Sequence, residues 1–317
     1  MRLQILSDLH LELGQQYSDF QIPVQAGSLI LAGDIGRLQD YQPFLKFLQV
    51  QCQNFQHVFL VLGNHEFYGI TREEGLQLAA KLTQEPVLQG RLVWREHNRF
   101  DFPGENVTLL GCTLHSHISP NSRDIVQSKV KDFSRILEWT VDKHNKCHRD
   151  DLNWLQGEIN SIRNQEHTNQ EGKRNPRKKI VVVTHHAPMR KGSSAPENEN
   201  NAWSDGFATE LLTPGTEKRA NPLLDVDWFV FGHTHFTTSC TRGSVRLISN
   251  QRGYVLPGQQ RNIVDAGGPN KRKNSSAVPV AKKQRSLFLA RLLRRGNHHT
   301  TPEPRFEQFD VARCIDV

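Results

Sequence analysis

This chain of 317 residues lacks any apolar run that approaches the ~20 residues a membrane-spanning helix needs. Cysteine is scarce: the five residues are an odd number, are scattered and form no Cys-x-x-Cys pair, which favours reduced thiols over a disulfide framework. The first apolar run begins at Leu3, so no targeting segment is expected ahead of it. These absences predict no contact with a membrane and a location in the cytoplasm, with the nucleus as the alternative.

An excess of basic charge is absent from most of the chain. The net charge is +7, but residues 266–305 hold ten Lys or Arg and one acid, so this segment carries +9 and the remainder carries 7 − 9 = −2. A nearly neutral remainder argues against a nucleic-acid-binding core. The Pro, Ser, Lys and Arg content of residues 259–305 predicts a disordered insertion, unless a retained intron accounts for it. Its basic clusters resemble a bipartite nuclear-import signal, so nucleic-acid or nuclear-import contacts are expected at 266–305.

Five short apolar runs, rich in β-branched or aromatic residues, predict buried strands. Each run is followed directly or within a few residues by a polar motif. The motifs are Asp8-Leu9-His10, Gly33-Asp34, Gly63-Asn64-His65-Glu66, Thr184-His185-His186 and Gly232-His233-Thr234-His235. In an open α/β sheet, functional residues gather outside the carboxyl ends of the strands. We therefore expect the five motifs to meet at one edge of the fold.

Seven side chains in these motifs have the chemistry of metal ligands. They are Asp8, His10, Asp34, Asn64, His185, His233 and His235. Carboxylates, imidazoles and an amide carbonyl, with no thiolate among them, suit divalent ions such as Mn, Fe or Zn. In extended backbone, Asp8 and His10 face the same way, as do His233 and His235. Seven ligands are too many for one tetrahedral ion, but they fit two ions that share a carboxylate and lie about 3.5–4 Å apart.

The motifs, in this order, resemble the signature of the calcineurin-like metallophosphoesterase superfamily, over roughly residues 1–258 and the last dozen. The resemblance implies an α/β fold, a four-layer αββα sandwich of two mixed sheets with helices outside and the metal site at the strand carboxyl ends. It implies two divalent ions (Mn, Fe, Zn or Ni), the first held by Asp8, His10 and His235. The second would be held by Asn64, His185 and His233. Asp34 would bridge the two ions, and His65 would be the catalytic histidine.

The function that the resemblance implies is metal-dependent hydrolysis of a small phosphate mono- or diester. A metal-bridging hydroxide would attack phosphorus, and His65 would assist the leaving oxygen. The alternative is a non-catalytic scaffold of the same fold that binds nucleic acid or a partner through the basic insertion. A pure scaffold has no reason to keep all seven ligands, so the enzyme is favoured. One domain over residues 1–317, interrupted at 259–305, is predicted.

One departure from a branch of the superfamily concerns Arg37. Phosphoprotein phosphatases carry Gly-Asp-x-x-Asp-Arg-Gly, whose second Asp orients the catalytic histidine, whereas this chain reads Gly33-Asp34-Ile35-Gly36-Arg37. The missing carboxylate predicts a protein outside the Ser/Thr phosphatase branch and a poorly supported His65. Glu12, in the loop after the first strand, is either a residue behind the metal ligands or a solvated loop acid.

The remaining pattern predicts helices over 43–52, 71–84 and most of 122–167, with further strands at 92–94, 107–110 and 245–248. His144, His148 and His167 lack ligand-like spacing and are predicted to lie on the surface. His185 is preferred over His186 as the ligand because it directly follows its strand. The polar segment 188–202 is either a flap over the metals or an inert loop.

Overall fold

The computed structural model describes residues 1–165, 176–213, 215–258 and 305–317. The predicted insertion at 259–305, apart from its last residue, lies outside these ranges, and so does His167. Their predicted disorder and surface position therefore stay predictions, as does the single domain over 1–317. Within the described ranges, no helix combines the length and the apolar character needed to cross a membrane.

Two mixed β-sheets form the centre of the fold, and the first has five strands. From edge to edge these are β12 (Cys314–Asp316), β1 (Arg2–Leu6), β2 (Ser28–Ala32), β3 (His57–Val61) and β4 (Leu92–Val93). Strands β1 to β4 run parallel, whereas β12 pairs antiparallel with β1. The carboxyl ends of β1, β2 and β3 therefore lie side by side.

The second sheet has seven strands. From edge to edge these are β11 (Arg305–Phe306), β9 (Thr238–Arg242), β10 (Val245–Ser249), β8 (Trp228–Phe231), β7 (Lys179–Val183), β6 (Val107–Gly111) and β5 (Asn98–Asp101). The central strands β6, β7, β8 and β10 are parallel, and the outer ones are antiparallel to their neighbours. The sequence did not predict β5 or β9, because both segments are largely polar and contain no apolar run.

Alternating side chains give each sheet two packed faces. Phe59 of the first sheet and Val181 of the second belong to one buried cluster between the sheets. The outer face of the first sheet packs against α1 (Tyr41–Asn54) and α2 (Arg72–Thr83). The outer face of the second packs against α5 (Val141–Gln165). The predicted four-layer αββα sandwich is therefore confirmed.

The predicted helices are present with small shifts of their ends. Helix α2 begins with a capping box, in which Thr71 Oγ1 accepts from the Glu74 N–H at 3.2 Å and Glu74 Oε2 accepts from the Thr71 N–H at 2.8 Å. The region after residue 122 also contains the short helices α3 (Arg123–Lys129) and α4 (Asp132–Arg135).

The predicted surface position of His144 and His148 is wrong. Both lie on the buried face of α5, where they are 0% and 5% exposed. His148 Nδ1 donates to the carbonyl oxygen of His115 at 2.5 Å, and the His144 ring lies 5.1 Å from the His115 ring. The spacing indicated that these residues are not paired ligands. It could not distinguish an exposed imidazole from a buried one that has a hydrogen-bond partner.

Candidate metal centre

The five motifs meet at the carboxyl ends of β1, β2, β3, β7 and β8. Their donor atoms form three groups in which all atoms lie within 4.8 Å of one another. The groups are Asp8–His10–His235, His10–Asp34–His65 and Asp34–His185–His233. The first and third coincide with the two ligand sets that the resemblance implies, leaving aside Asn64, which contributes an amide.

In the first group, two imidazoles and a carboxylate converge. His10 Nε2 lies 2.9 Å from His235 Nε2, and His235 Nε2 lies 3.6 Å from Asp8 Oδ1. Asp8 and His10 are fully buried, whereas the His235 side chain is 27% exposed. The group is thus reached from solvent on the side of His235.

The second ligand set, which is the third group together with Asn64, converges on His185. Its Nε2 lies 3.0 Å from Asn64 Oδ1, 3.1 Å from His233 Nδ1 and 3.3 Å from Asp34 Oδ1. The amide of Asn64 is held because its Nδ2 donates to Asp132 Oδ1 at 2.8 Å. Asp132 therefore turns the Asn64 carbonyl toward His185, a role that the sequence did not reveal.

His186 takes no part in either group. Its ring stacks on that of His233 with centroids 4.0 Å apart, and its Nδ1 accepts from the Ser116 N–H at 3.2 Å. Of the two adjacent histidines, His185 is the one whose nitrogen faces the other donor atoms.

Asp34 lies between the two ligand sets, the one around His235 and the one around His185. Its Oδ1 faces His185 Nε2 and accepts from the His65 N–H at 2.9 Å, while its Oδ2 lies 3.9 Å from His10 Nε2. Burial would raise its pKa, but the charges of His185 and His65 outweigh this effect and hold the pKa well below its usual value. An ionised carboxylate is thus available to both groups.

Three of the four predicted histidine ligands also have a hydrogen-bond partner for their second ring nitrogen. His10 Nδ1 donates to Glu12 Oε1 at 3.3 Å, His185 Nδ1 to Ala32 O at 3.0 Å and His233 Nε2 to Gly206 O at 3.3 Å. Metal-binding histidines almost always donate their second ring nitrogen in this way, which fixes the tautomer and the ring orientation. The donor set and its supports therefore fit divalent ions.

The extended backbone predicted for the ligand pairs is wrong. Asp8, His10, Asp34, His233 and His235 have φ values of 53°, 48°, 54°, 76° and 52°. These values lie in the left-handed region, which costs a residue other than glycine about 1–3 kcal/mol and persists only where the surroundings hold it. The Asp8 N–H donates to Gly33 O at 2.9 Å and the His10 N–H to Asp34 O at 3.0 Å. Left-handed backbone and hydrogen bonds between the segments after β1 and β2, and not strand alternation, therefore bring Asp8, His10 and Asp34 together.

Two glycines of the motifs permit close packing of the ligands. A Cβ atom on Gly33 would lie 2.2 Å from His185 Nδ1, and one on Gly63 would lie 2.2 Å from Asp34 Oδ1. Both distances are far below van der Waals contact, and each neighbour is itself a predicted ligand. Glycine is therefore required at both positions.

Glu66 fastens the loops after β2 and β3 to each other. Its fully buried carboxylate accepts hydrogen bonds from the N–H groups of Asp34, Ile35 and Gly63 at 3.0, 2.7 and 2.7 Å. The last residue of Gly63-Asn64-His65-Glu66 therefore positions Asp34 without reaching the donor groups. The motif contained this residue, but its sequence gave no sign of the role.

Both ring nitrogens of His65 have partners. Nδ1 donates to Glu12 Oε1 at 2.8 Å, Nε2 lies 3.1 Å from the Tyr254 hydroxyl, and the ring stacks on Tyr68 at 4.1 Å. Burial lowers the pKa of His65, but the charge of Asp34 and the bond to Glu12 outweigh it and raise the pKa to about 9. His65 is thus held in one orientation, with a proton available at neutral pH.

Glu12 is not a solvated loop acid. It is 7% exposed and its Oε1 contacts both His10 and His65. The prediction that His65 is poorly supported is therefore wrong, because a carboxylate from the loop after β1 supplies the support. Arg37 instead pairs with Asp40 at 3.3 Å.

Glu12→Ala is expected to lower activity by about 10–100-fold, the usual effect of removing a residue that orients a metal ligand. The loss arises because the substitution frees the rings of His10 and His65 together. Steady-state kinetics with metal analysis measures it. Glu105→Ala, at an exposed position, is the matched control. Unchanged kcat/KM in Glu12→Ala would show that the contact is only packing.

Comparison with known proteins agrees with this site. The model of the family described as calcineurin-like phosphoesterase matches residues 1–236. The chain therefore belongs to the calcineurin-like phosphoesterase family, as its motifs predicted, and it is a metal-dependent phosphoesterase in general terms.

Two relatives span most of the chain. An uncharacterized protein of Acanthamoeba polyphaga mimivirus is 26% identical over 275 residues, which cover 80% of this chain and 91% of that protein. The crystal structure of phosphopantetheinyl hydrolase from Mycobacterium tuberculosis superimposes with a TM-score of 0.54 and 15% identity, covering 80% of this chain and 89% of that one. At this identity, the second likeness shows a shared fold alone.

Proposed function

We propose that this phosphoesterase is a dinuclear enzyme that hydrolyses a small phosphate mono- or diester. The observation that supports two ions is the position of Asp34, which presents one oxygen to each group of donors. One ion would be held by Asp8, His10 and His235. The other would be held by Asn64, His185 and His233, and Asp34 would be shared.

The residues around the ions have separate tasks in this proposal. Bound divalent ions would supply an acidified water for attack on phosphorus and positive charge for the phosphoryl oxygens. His65 gives its Nε2 proton to the leaving oxygen, and Glu12 keeps the ring in position for that transfer. The Tyr254 hydroxyl lies 3.1 Å from the same nitrogen, so the ester oxygen approaches His65 beside this phenol.

Metal reconstitution tests the proposal. Protein stripped by a chelator is reloaded with Mn, Fe, Zn, Ni or Mg in separate samples, and each is assayed on chromogenic mono- and diesters. Two bound ions per active chain and no turnover in the stripped protein are expected. Full activity with a single bound ion, or in the stripped protein, would contradict a dinuclear mechanism.

Two recesses beside the Gly-His-Thr-His turn favour a diester over a monoester, since a diester carries two organic groups. A groove of about 1070 Å³ is lined by His235 on one side of the turn. A recess of about 200 Å³ is lined by Thr234 and by Phe207, whose ring stacks on His233.

We therefore expect kcat/KM to be higher for bis-p-nitrophenyl phosphate than for p-nitrophenyl phosphate, and lowest for phosphoserine and phosphothreonine peptides. The peptides are disfavoured because serine and threonine alkoxides are poor leaving groups. In addition, the strands of the described ranges supply no pair of Arg side chains to hold a phosphoryl dianion. Arg252, the one candidate, donates instead to Leu9 O at 3.0 Å and Gln16 Oε1 at 2.9 Å. A parallel assay of these three substrate types decides the order. A phosphopantetheinyl ester is added to the panel because the similar Mycobacterium tuberculosis structure is that of a phosphopantetheinyl hydrolase. Preference for the peptides would contradict the proposal.

The scaffold alternative is less well supported. All seven predicted ligands are present. Six of them belong to groups whose donor atoms lie within 4.8 Å of one another, and Asn64 Oδ1 lies 3.0 Å from His185 Nε2. The basic segment through which a scaffold would bind nucleic acid lies outside the described residues. No observation on the described part of the chain favours that function.

A further inference from the structure

A groove with a volume of about 1070 Å³ lies beside His235. Its walls come from the loop after β1, from the segment after β10 and from residues 195–197, 235–237 and 306–311. His235 lines the groove and also lies in the first donor group, 2.9 Å from His10. The groove therefore opens directly onto the metal centre.

The walls of the groove are rich in aromatic side chains. Phe20, Phe236, Phe306 and Phe309 line it, together with Val255. Phe306 is 67% exposed, and the neighbouring Tyr254 and Leu256 are each 52% exposed. Phe306 is thus an exposed apolar wall of the groove, and Tyr254 and Leu256 are the sequence neighbours of the lining residue Val255.

The charges that line the groove are mostly acidic. Asp19, Glu197 and Glu307 carry carboxylates, and the only cation among the lining residues is Arg252. The Arg252 guanidinium is held over the Phe20 ring at 4.7 Å and bonded to Leu9 and Gln16. Glu307 is paired with Arg313, so a ligand that carries negative charge beyond its phosphate would meet the carboxylates of Asp19 and Glu197 here.

We propose that this groove binds the organic group of the phosphate-ester substrate, and that this group is uncharged and apolar or aromatic. The proposal rests on the proposed function, because it places the phosphate at the metal centre and the organic group beside His235. The groove then selects an uncharged aryl or alkyl ester and disfavours nucleic acid and other polyanions. Segment 188–202 takes part as a wall: Thr234 Oγ1 donates to Ser193 O at 2.5 Å, and Pro196 and Glu197 face the groove.

Phosphonic acids test the groove without depending on which ester is cleaved. Methylphosphonate, 3-phenylpropylphosphonate and 3-carboxypropylphosphonate share the anchoring group and differ only in what enters the groove. Inhibition constants are measured on the metal-loaded protein, and calorimetry gives the same affinities where no ester is turned over. Burial of a phenyl ring predicts that the phenylpropyl compound binds about 10-fold or more tightly than methylphosphonate. The carboxylate compound is expected to gain nothing.

Variants of groove residues test whether the tighter binding of the phenylpropyl compound arises in the groove. Phe306→Ala and Phe20→Ala are each expected to reduce the phenylpropyl advantage by about 3-fold or more, because each removes part of an aromatic wall. Glu197→Lys is expected to improve binding of the carboxylate compound alone. Val50→Ala, at an exposed apolar position on α1, is the control and leaves all three affinities unchanged.

The outcomes separate this proposal from the catalytic one. Equal affinity for the methyl and phenylpropyl compounds overturns the groove assignment, even where esters are hydrolysed. An advantage that survives in both Phe306→Ala and Phe20→Ala also overturns it, since the ring would then lie elsewhere. A phenylpropyl advantage in a protein that cleaves no ester would support the groove while contradicting the proposed function.

Discussion

Asp34→Ala is expected to lose both metal ions and to lower kcat by about 10⁴-fold or more, because several kcal/mol of transition-state charge stabilisation depart with the ions. The side chain presents one oxygen to His185 and the other to His10, so no other predicted ligand faces both groups. Its loss also leaves the His65 N–H, now bonded to Asp34 Oδ1 at 2.9 Å, without that acceptor.

Asp34 has a left-handed backbone conformation, so a second variant is needed that keeps this conformation. Its φ of 54° is tolerated by aspartate and asparagine better than by alanine, so Asp34→Asn removes the charge while keeping the turn. Both variants should lose metal and turnover, as measured by elemental analysis and kinetics, with a melting curve to confirm folding. Asp150→Ala, at an exposed position on α5, is the control. Two ions per chain in Asp34→Ala would remove Asp34 from the bridging position.

His65→Ala is expected to lower kcat by about 10²–10⁴-fold while keeping its metal, because a positioned acid–base group contributes about that much. His65 lies in one of the three donor groups, so a role as a ligand is the competing interpretation. One ring nitrogen of His65 is held by Glu12, and the other lies 3.1 Å from the Tyr254 hydroxyl.

Metal content distinguishes the two roles of His65. If His65→Ala keeps the metal content of the unsubstituted protein but loses most of its rate, His65 acts as a general acid and not as a ligand. His65→Asn preserves a hydrogen-bonding side chain of similar reach but cannot donate the proton, so it should be equally slow. The exposed His117→Ala serves as the control. Loss of an ion in His65→Ala would place this residue among the ligands.

The sequence predicted the donor residues because each motif is local and follows an apolar run. The strand pattern predicted that the motifs meet at one edge of the fold. The assignment of Asp8 and His235 to one ion came from the resemblance, because these residues follow strands of different sheets. The four-layer architecture followed from the resemblance. The strands β5 and β9 could not be predicted, because their polar segments become strands only by pairing with β6 and β10.

The supports of the site could not be predicted from the sequence in the same way. Glu12 meets His65, and Asp132 meets Asn64, only after loops distant in the chain have packed together. In the sequence, an acidic residue in a polar loop gives the same signal whether its side chain is solvated or buried. Because residue 37 is arginine and not an acid, the sequence predicted less support for the His65 ring than the structure shows. The burial of His144 and His148 depended likewise on the helix–sheet packing of α5.

The left-handed backbone at five of the predicted ligands has a consequence for how such a protein changes under selection. Selection for heat resistance alone would favour glycine at these positions, since each replacement relieves about 1–2 kcal/mol of backbone strain. Every such replacement also deletes a donor atom. Descendants that abandon catalysis are therefore expected to drift toward glycine first at Asp8, His10, Asp34, His233 and His235, whereas Asn64 and His185, which do not share this backbone, should disappear more slowly.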